Sequence, residues 1–404
     1  MNHDDAIAAF YEAHPYPPPV DDLDAYRERW SDDARRKAEF HRHFPRRAFT
    51  GDLDILVAGC GTSQAARHAI RWPNARITGI DVSETSLNET DKLKQRYILD
   101  NLSLRDLPIE QVADLGQTFD LIICTGVLHH LTDPDVGLGA LSGVLKTDGA
   151  LNLMVYGRYG RTGVSMMQEY GRLLRLEPTI EEIDALGSTL REIPIGHPLS
   201  PMIRNTPDFR TAGALADALL NPRERVYSVP ELLDTLDQQG LSFGRWFRQA
   251  PYRPQCGAPA TTPHARRLAE LDERDQYSAM ELLRGSMSRH TVIAHHQNTD
   301  RRSPTIGQME HTVPMRLPTA ITVEDRLPPG AAAVLINSAH SYTDLVMAIT
   351  PDEKELVDQI DGVRTLGDIA SGIGGGWMAA SRTVQPFFER LWWWDQIVFD
   401  HSAN

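Results

Sequence analysis

The sequence predicts an α/β protein built on a parallel sheet with helices on both faces. Three observations lead there. Short apolar runs recur along the first 157 residues, LDILVAG at 53–59, ARITGID at 75–81, FDLIICTG at 119–126 and ALNLMVYG at 150–157. The stretches between them carry helical patterning. The first run closes on a glycine pair, Gly59 and Gly61, and the second on Asp81.

Taken in order, residues 1–50 read as a helical approach segment broken between Pro15 and Pro19. LDILVAG is brief, partly β-branched and ends in glycine, which marks a buried strand. A helix follows over 63–72, then the strand ARITGID. Ser83 is placed to cap the next helix through its hydroxyl. A third strand is expected near 102–105, a fourth at FDLIICTG. DPDVGLGALSGVLKTDG reads as a helix with a turn at Asp148-Gly149, and ALNLMVYG as a fifth strand. Residues 158–240 interrupt the alternation and look mainly helical and rich in arginine. LSFGRWF at 241–247 and HTVIAHH at 290–296 are candidates for two more strands. If they close the same sheet, it has seven. Residues 297–312 read as a polar linker. Beyond it, 345–374 reads as short helices with a turn at Asp361-Gly362, and 384–399 as a helix running into a short strand.

Bulk composition sets the class. A chain of 404 residues has room for two or three domains. No run of eighteen apolar residues suggests a membrane span. The opening residues lack the positive start and apolar stretch of a secretory signal. A formal net charge of -14 disfavours non-specific nucleic-acid binding. Three cysteines, Cys60, Cys124 and Cys256, form no CxxC pair and no even framework. The expected setting is the cytoplasm.

The sharpest functional signal is Gly59-Cys60-Gly61-Thr62-Ser63, between the first strand and its helix. Glycine permits a tight turn and a close backbone approach to a ligand. Asp81, twenty residues after Gly61, can accept hydrogen bonds from both ribose hydroxyls of a nucleoside. A nicotinamide dinucleotide would call for a third glycine, to seat pyrophosphate at the helix N-terminus. Ser63 and Gln64 stand there instead, which favours a cofactor without pyrophosphate. Asp106 after the third strand can accept from an adenine amino group, with Leu107 packing near the ring. Val82, beside Asp81, joins this set. Backbone of Thr125 and Gly126 is expected beneath the cofactor, and His129 or His130 near the acceptor. Paired histidines without nominated partners do not make a metal site, and none is expected.

Two stretches, ILVAGCGTSQAARHAIRWPNARITGIDVSETSL and FDLIICTGVLHHLTDPDVGLGALSGVLKTDGALNLMVYG, resemble class I S-adenosylmethionine-dependent methyltransferases. The likeness is close over about 50–157 and weaker to 296. It implies a Rossmann-like seven-stranded methyltransferase sheet with a helical substrate insertion at 158–240. It also implies S-adenosyl-L-methionine as cofactor, with Gly59 and Gly61 at its methionine end, Asp81 on the ribose and Asp106 on the adenine. The family commonly has Gly-x-Gly-x-Gly, and Ser63 departs from that with a small side chain. Tyr11-Glu12-Ala13-His14-Pro15-Tyr16-Pro17, the run Arg223 to Leu232, and Pro251-Tyr252 look like a bacterial subgroup with varied substrates. In that arrangement residues 1–49 form a lid. Residues 313–404, with Asp361-Gly362, Thr365-Leu366 and the late Phe387-Phe388, resemble a small winged-helix domain. Its segment 351–370 carries more acids than bases, which argues against DNA.

Methyl transfer from a sulfonium needs alignment and exclusion of water above all. A hydroxyl acceptor would want a base within reach. Tyr11, Tyr16, His129, His130 and Tyr156 are the candidate groups around the acceptor. Arg158, Arg161, Arg172, Arg175, Arg204, Arg210, Arg223 and Arg225 would suit an anionic acceptor if several converge, or pair with nearby acids if they do not. The expected function is methylation of a small acceptor, with a slight lean toward a thiol for want of an obvious base. Two alternatives stand beside it: a peptide or protein methyltransferase that uses the C-terminal domain for recognition, and a non-catalytic cofactor-binding protein. A homodimer is one expected assembly.

Overall fold

The computed structural model describes residues 10–12, 17–205, 209, 211–297, 299, 309–372 and 377–403. The chain forms two compact units. One comprises Met1–Arg27, Gly51–Phe243 and Arg284–Asn298, the other Glu28–Thr50, Gly244–Leu283 and Thr299–Asn404.

The first unit is organised by the sheet. Its strands are β1 (Asp54–Ala58), β2 (Arg76–Asp81), β3 (Leu102–Asp106), β4 (Phe119–Thr125), β5 (Leu145–Tyr156), β6 (Leu241–Trp246) and β7 (Arg289–His296). They lie in the order β3-β2-β1-β4-β5-β7-β6. β1 pairs in parallel with both β2 and β4, β4 in parallel with β5, and β7 antiparallel to β5. The two late runs therefore join the same sheet, which has seven strands. Ile55, Leu56, Val57, Ile122 and Leu151 are buried, as expected of strands covered on both faces. The covering helices include α1 (Gln64–Arg71), α2 (Glu84–Tyr97) and α3 (Pro134–Val144). Ser83 caps α2 by accepting from the Ser86 N–H, and Asp133 caps α3. Strand order reverses between β1 and β4. Loops leaving their carboxyl ends diverge and open a crevice there, which fixes where a ligand can sit.

One expectation is corrected. The turn foreseen at Asp148-Gly149 does not separate helix from strand, because α3 ends at Val144 and β5 starts at Leu145. Pairing jumps from Phe119↔Leu145 to Leu121↔Ala150, so the intervening residues of β5 bulge. The Lys146 ammonium, carried on that bulge, pairs with Asp54 and Asp120 at 2.7 and 2.8 Å. The ion pairs hold an irregularity that a turn signal alone misreads.

The insertion after β5 has its own apolar core. Helices α4 (Thr162–Leu174) and α5 (Ile180–Glu192) bury Val164, Met167, Ile183, Leu186 and Leu190. A short helix at Ala212–Leu215 continues into a single π-helical turn at Ala216–Leu220, which adds Leu215, Ala216 and Leu219. Phe10 joins the same core. Helix α6 (Val229–Gln238) starts from a capping box of Ser228 and Glu231 and leads into β6.

The second unit gathers segments far apart in sequence. Strands β8 (Val313–Arg316), β9 (Ala320–Val323), β10 (Ala333–Asn337), β11 (Val346–Ile349) and β12 (Ile397–Asp400) form a β11-β10-β9 antiparallel sheet and a β12-β8 pair. Helices at Pro351–Asp358, Leu366–Ser371 and Trp377–Trp393 pack on them around Leu335, Leu366, Val384, Phe388 and Leu391. Residues 346–349 are thus strand, where short helices were expected. Val346 and Ala348 face out while Met347 and Ile349 face in, a period of two. Asp395 holds the earlier segment in place by accepting from the Gln249 and Ala250 N–H groups at 2.7 and 2.9 Å. Trp393 and Trp394 pack against Ala250, Cys256 and Leu345. Among the described residues, no helix is long and apolar enough to cross a membrane.

Candidate active site

The carboxyl ends of β1 to β4 assemble one cradle. Gly59 and Gly61 have φ of +67° and +54°, a region that side chains disfavour. A Cβ on Gly59 would lie 2.3 Å from a methyl of Val127, so the loop passes directly against the segment that follows β4. The Cys60 N–H donates to the Ile80 carbonyl at 2.9 Å. Its thiol is buried, and burial raises its pKa well above the usual value. Cys60 therefore offers backbone, not a nucleophile. The Asp81 carboxylate accepts from the Gly61 N–H at 2.7 Å through one oxygen and from the Ser83 N–H at 3.0 Å through the other. Each oxygen keeps a second lone pair. Burial pushes this carboxyl above the usual range, the backbone donors at Gly61 and Ser83 oppose the shift, and Asp106 adds to it. Asp106 stands opposite Asp81 in the β2–β3 register, and the Leu107 N–H donates to the Asp81 carbonyl at 3.1 Å. Val82 is partly exposed beside them. Ser63 is buried at the start of α1, where its side chain makes no capping bond. The Gln64 amide donates to the Thr125 hydroxyl at 2.8 Å, and Gly126 has φ of +84°. All ten residues nominated for the cofactor therefore lie on neighbouring strand ends.

Four of the five nominated acceptor-side residues meet in a second cluster. The His129 and Tyr156 rings are 4.0 Å apart, His129 and His130 are 4.3 Å apart, and the Tyr11 ring lies 6.2 Å from His130. Tyr16 lies outside the described residues. His129 is fully buried, and burial, then His130, then Arg161, push its pKa well below the usual imidazole range. It is neutral. His130 Nδ1 is 2.7 Å from the Arg223 carbonyl oxygen. A carbonyl only accepts, so Nδ1 carries the proton and Nε2 keeps its lone pair. That Nε2 is buried and has no hydrogen-bond partner among the described residues. Tyr11 donates its hydroxyl proton to Asp217 at 2.8 Å and accepts from the Asn221 amide at 3.2 Å. Glu12 accepts from the Thr85 N–H and hydroxyl at the start of α2, and the Thr62 hydroxyl donates to the Pro17 carbonyl.

Sequence reasoning named Arg161, Arg223 and Arg225 among its arginines but did not place them around this cluster. The segment 221–231 is stitched to it. The Arg225 N–H donates to the His129 carbonyl, and the Tyr227 N–H to the Tyr156 carbonyl, both at 2.9 Å. Arg161 lies 3.6 Å over the Tyr156 ring while bonding Glu224 through two nitrogens at 3.0 and 2.6 Å. Both members of that ion pair are buried. The sequence signals were the arginine set and the run from Arg223 to Leu232, and neither said which groups meet. Glu224→Ala would strand the Arg161 charge in the interior. A loss of about 3–5 kcal/mol in unfolding free energy is expected by denaturant titration. An unchanged midpoint would mean that the pair is open to water.

Residues 56–151 match the family model of a methyltransferase domain. The uncharacterised protein syc1184_c of a Synechococcus strain is 31% identical over 297 residues, which cover 69% of this chain and 68% of that protein. The structure of PKMT2 from Rickettsia typhi shares the fold, with a TM-score of 0.64 at 15% identity over 95% of this chain and 77% of PKMT2. The same protein in complex with AdoHcy gives 0.63 at 14% identity. The chain belongs to the class I S-adenosylmethionine-dependent methyltransferases. The cofactor of this methyltransferase is S-adenosylmethionine, and the cradle fits it: Gly59 and Gly61 make the tight turn at the end of β1 with positive φ, and the Asp81 carboxylate, held by the Gly61 and Ser83 N–H groups, stands beside that turn as an acceptor. A malonyl-[acyl-carrier protein] O-methyltransferase of Acetivibrio thermocellus is 34% identical over 106 residues, 26% of this chain. A ubiquinone biosynthesis O-methyltransferase of Bartonella quintana is 29% identical over 100 residues, 25% of this chain. The methyltransferase spans 36% and 40% of the lengths of these two relatives.

Proposed function

We propose that this methyltransferase methylates a hydroxyl of a small molecule, with His130 as the base. The observation that carries the reading is the His130 tautomer. The Arg223 carbonyl holds the proton on Nδ1, which leaves Nε2 buried with an uncommitted lone pair. When bound, S-adenosylmethionine supplies a methyl carbon made electrophilic by its sulfonium. As the new O–C bond forms and the methyl–sulfur bond breaks with its electron pair left on sulfur, the hydroxyl becomes acidic, and its proton would pass to His130 Nε2. Gly59, Gly61 and Asp81 orient the donor, and the buried His129 ring with the half-buried Tyr156 ring against it helps keep water from the reacting line.

This reading supersedes the lean toward a thiol, which rested on the lack of an evident base. It does not call on the arginines for an anionic acceptor, since five of the eight have other partners. Arg158, Arg161, Arg172 and Arg225 pair with Glu231, Glu224, Glu169 and Asp135, and Arg223 donates to Thr132. The two named O-methyltransferase relatives, similar over 106 and 100 residues, support oxygen as the accepting atom. The contacts of Glu12 and Pro17 support a covering role for the amino-terminal segment.

The test is to incubate the protein with methyl-labelled S-adenosylmethionine and a panel of small phenols, alcohols, thiols, carboxylic acids and amines. Label on a hydroxyl oxygen is expected. Label on sulfur alone would overturn the choice of accepting atom, and failure to bind the donor would overturn the whole assignment.

A further inference from the structure

Asp217 is 3% exposed and sits in the π-helical turn Ala216–Leu220, where no ion pair reaches it from the described residues. Such turns are often found at functional sites. A carboxylate taken out of water without a cation is costly, and proteins seldom leave one so. Arg158, Arg161, Arg172 and Arg225 pair with other acids. Its hydrogen-bond partner is the Tyr11 hydroxyl, bound to one oxygen at 2.8 Å.

The Tyr11 oxygen has a matching character. Its proton is given to Asp217 and one lone pair receives the Asn221 amide, so it can only accept from any further group. Burial and Asp217 raise the phenol pKa well above the usual value, and the proton stays on the phenol. Asp217 and Tyr11 together thus present acceptors and negative charge, with the Tyr11 and His130 rings 6.2 Å apart beside them. Aromatic rings also favour a nearby cation. His130 Nε2, buried and without a hydrogen-bond partner among the described residues, belongs to the same cluster.

We propose that Asp217 and Tyr11 form a binding site for a protonated amine on the acceptor molecule. The inference rests on the reading of this cluster as the acceptor site. The ammonium is a handle and not the methylated atom, because a protonated nitrogen has no lone pair to attack with. It supplies the cation that Asp217 lacks and donors for Tyr11, while a hydroxyl elsewhere on the same molecule faces His130. The substrate class is therefore a small hydroxy-amine.

Calorimetric titration of the full chain saturated with S-adenosylhomocysteine tests this. The probes are a series of hydroxy-amines from ethanolamine to tyramine, each beside its neutral N-acetyl form. At least one protonated probe should bind ten or more times tighter than its N-acetyl form. Asp217→Asn should bring that ratio within about twofold and leave the affinity for S-adenosylhomocysteine unchanged. Tyr11→Phe, which removes one acceptor and keeps the ring, should lower the ratio in part, and thermal melting checks that each variant is folded. Equal binding of charged and neutral forms, no binding by any amine, or a ratio that survives Asp217→Asn in folded protein would each overturn the site. Should Asp217→Asn not fold, a ratio unmoved by Tyr11→Phe overturns it. Failure of S-adenosylhomocysteine to bind would instead strike the methyltransferase reading, so the two failures are distinct.

Discussion

Asp81→Ala is expected to weaken S-adenosylmethionine binding by about a hundredfold or more, as measured by calorimetry. The figure follows from two hydrogen bonds from ribose hydroxyls to a charged acceptor, each worth about 1.5–3 kcal/mol. The substitution also removes the acceptor that holds the Gly61 and Ser83 N–H groups, so the glycine loop loses its anchor. Asp81→Asn separates the two effects. It keeps one acceptor but turns an amide toward a backbone donor, and should fall between wild type and alanine. The dependence on pH has a definite sign. Burial raises the Asp81 pKa, and the ionised form is the one that accepts from both hydroxyls. Donor affinity should therefore fall as pH drops through that raised value. Stability of the unliganded protein should move the other way. The folded state binds the proton more tightly than the unfolded chain, so this group's contribution to stability grows as pH falls through the folded pKa. Both trends should vanish in Asp81→Asn. If donor affinity in wild type is flat across the acidic range, Asp81 does not hold the ribose.

The donor half of the site was legible because its determinants are local. A strand, a glycine pair and an acid at the next strand end lie within 28 residues, Asp54 to Asp81, and each follows from backbone sterics or capping chemistry. The strands of the main sheet were legible for the same reason, since buried parallel strands are short apolar runs. The bulge in β5 was not, because Lys146 adopts it for the sake of Asp54 and Asp120, which are distant in sequence. The acceptor half was legible only as a set of residue types. Nothing local ties Glu224 to Arg161 or Asp217 to Tyr11, which is 206 residues away. The makeup of the second unit was equally hidden. Asp395 lies in the 384–399 stretch read only as a helix running into a strand, yet it is buried and binds the backbone of residues 249–250.

His130→Gln is expected to lower kcat by about 10²–10⁴-fold, the usual contribution of a positioned base. Donor affinity should stay within about twofold, because His130 lies outside the glycine cradle and Asp81. Glutamine can still donate to the Arg223 carbonyl, so the loop geometry should persist while the basic nitrogen is lost. The comparison with His129 sharpens the point. His129 is the more buried of the two, and burial first, then His130 and Arg161, hold it neutral at the expense of its basicity. A good base has a pKa near the working pH, so His129 is a poor choice on electrostatic grounds and serves as wall. A second variant, His130→Ala, leaves a gap the size of an imidazole. Added imidazole should restore part of the lost rate if the missing function is proton transfer, and none of it if His130 only shapes the pocket. Full activity in His130→Gln would remove the base from the mechanism. The accepting atom would then need no help in losing a proton, which is the behaviour of a thiolate or a neutral amine and not of a hydroxyl.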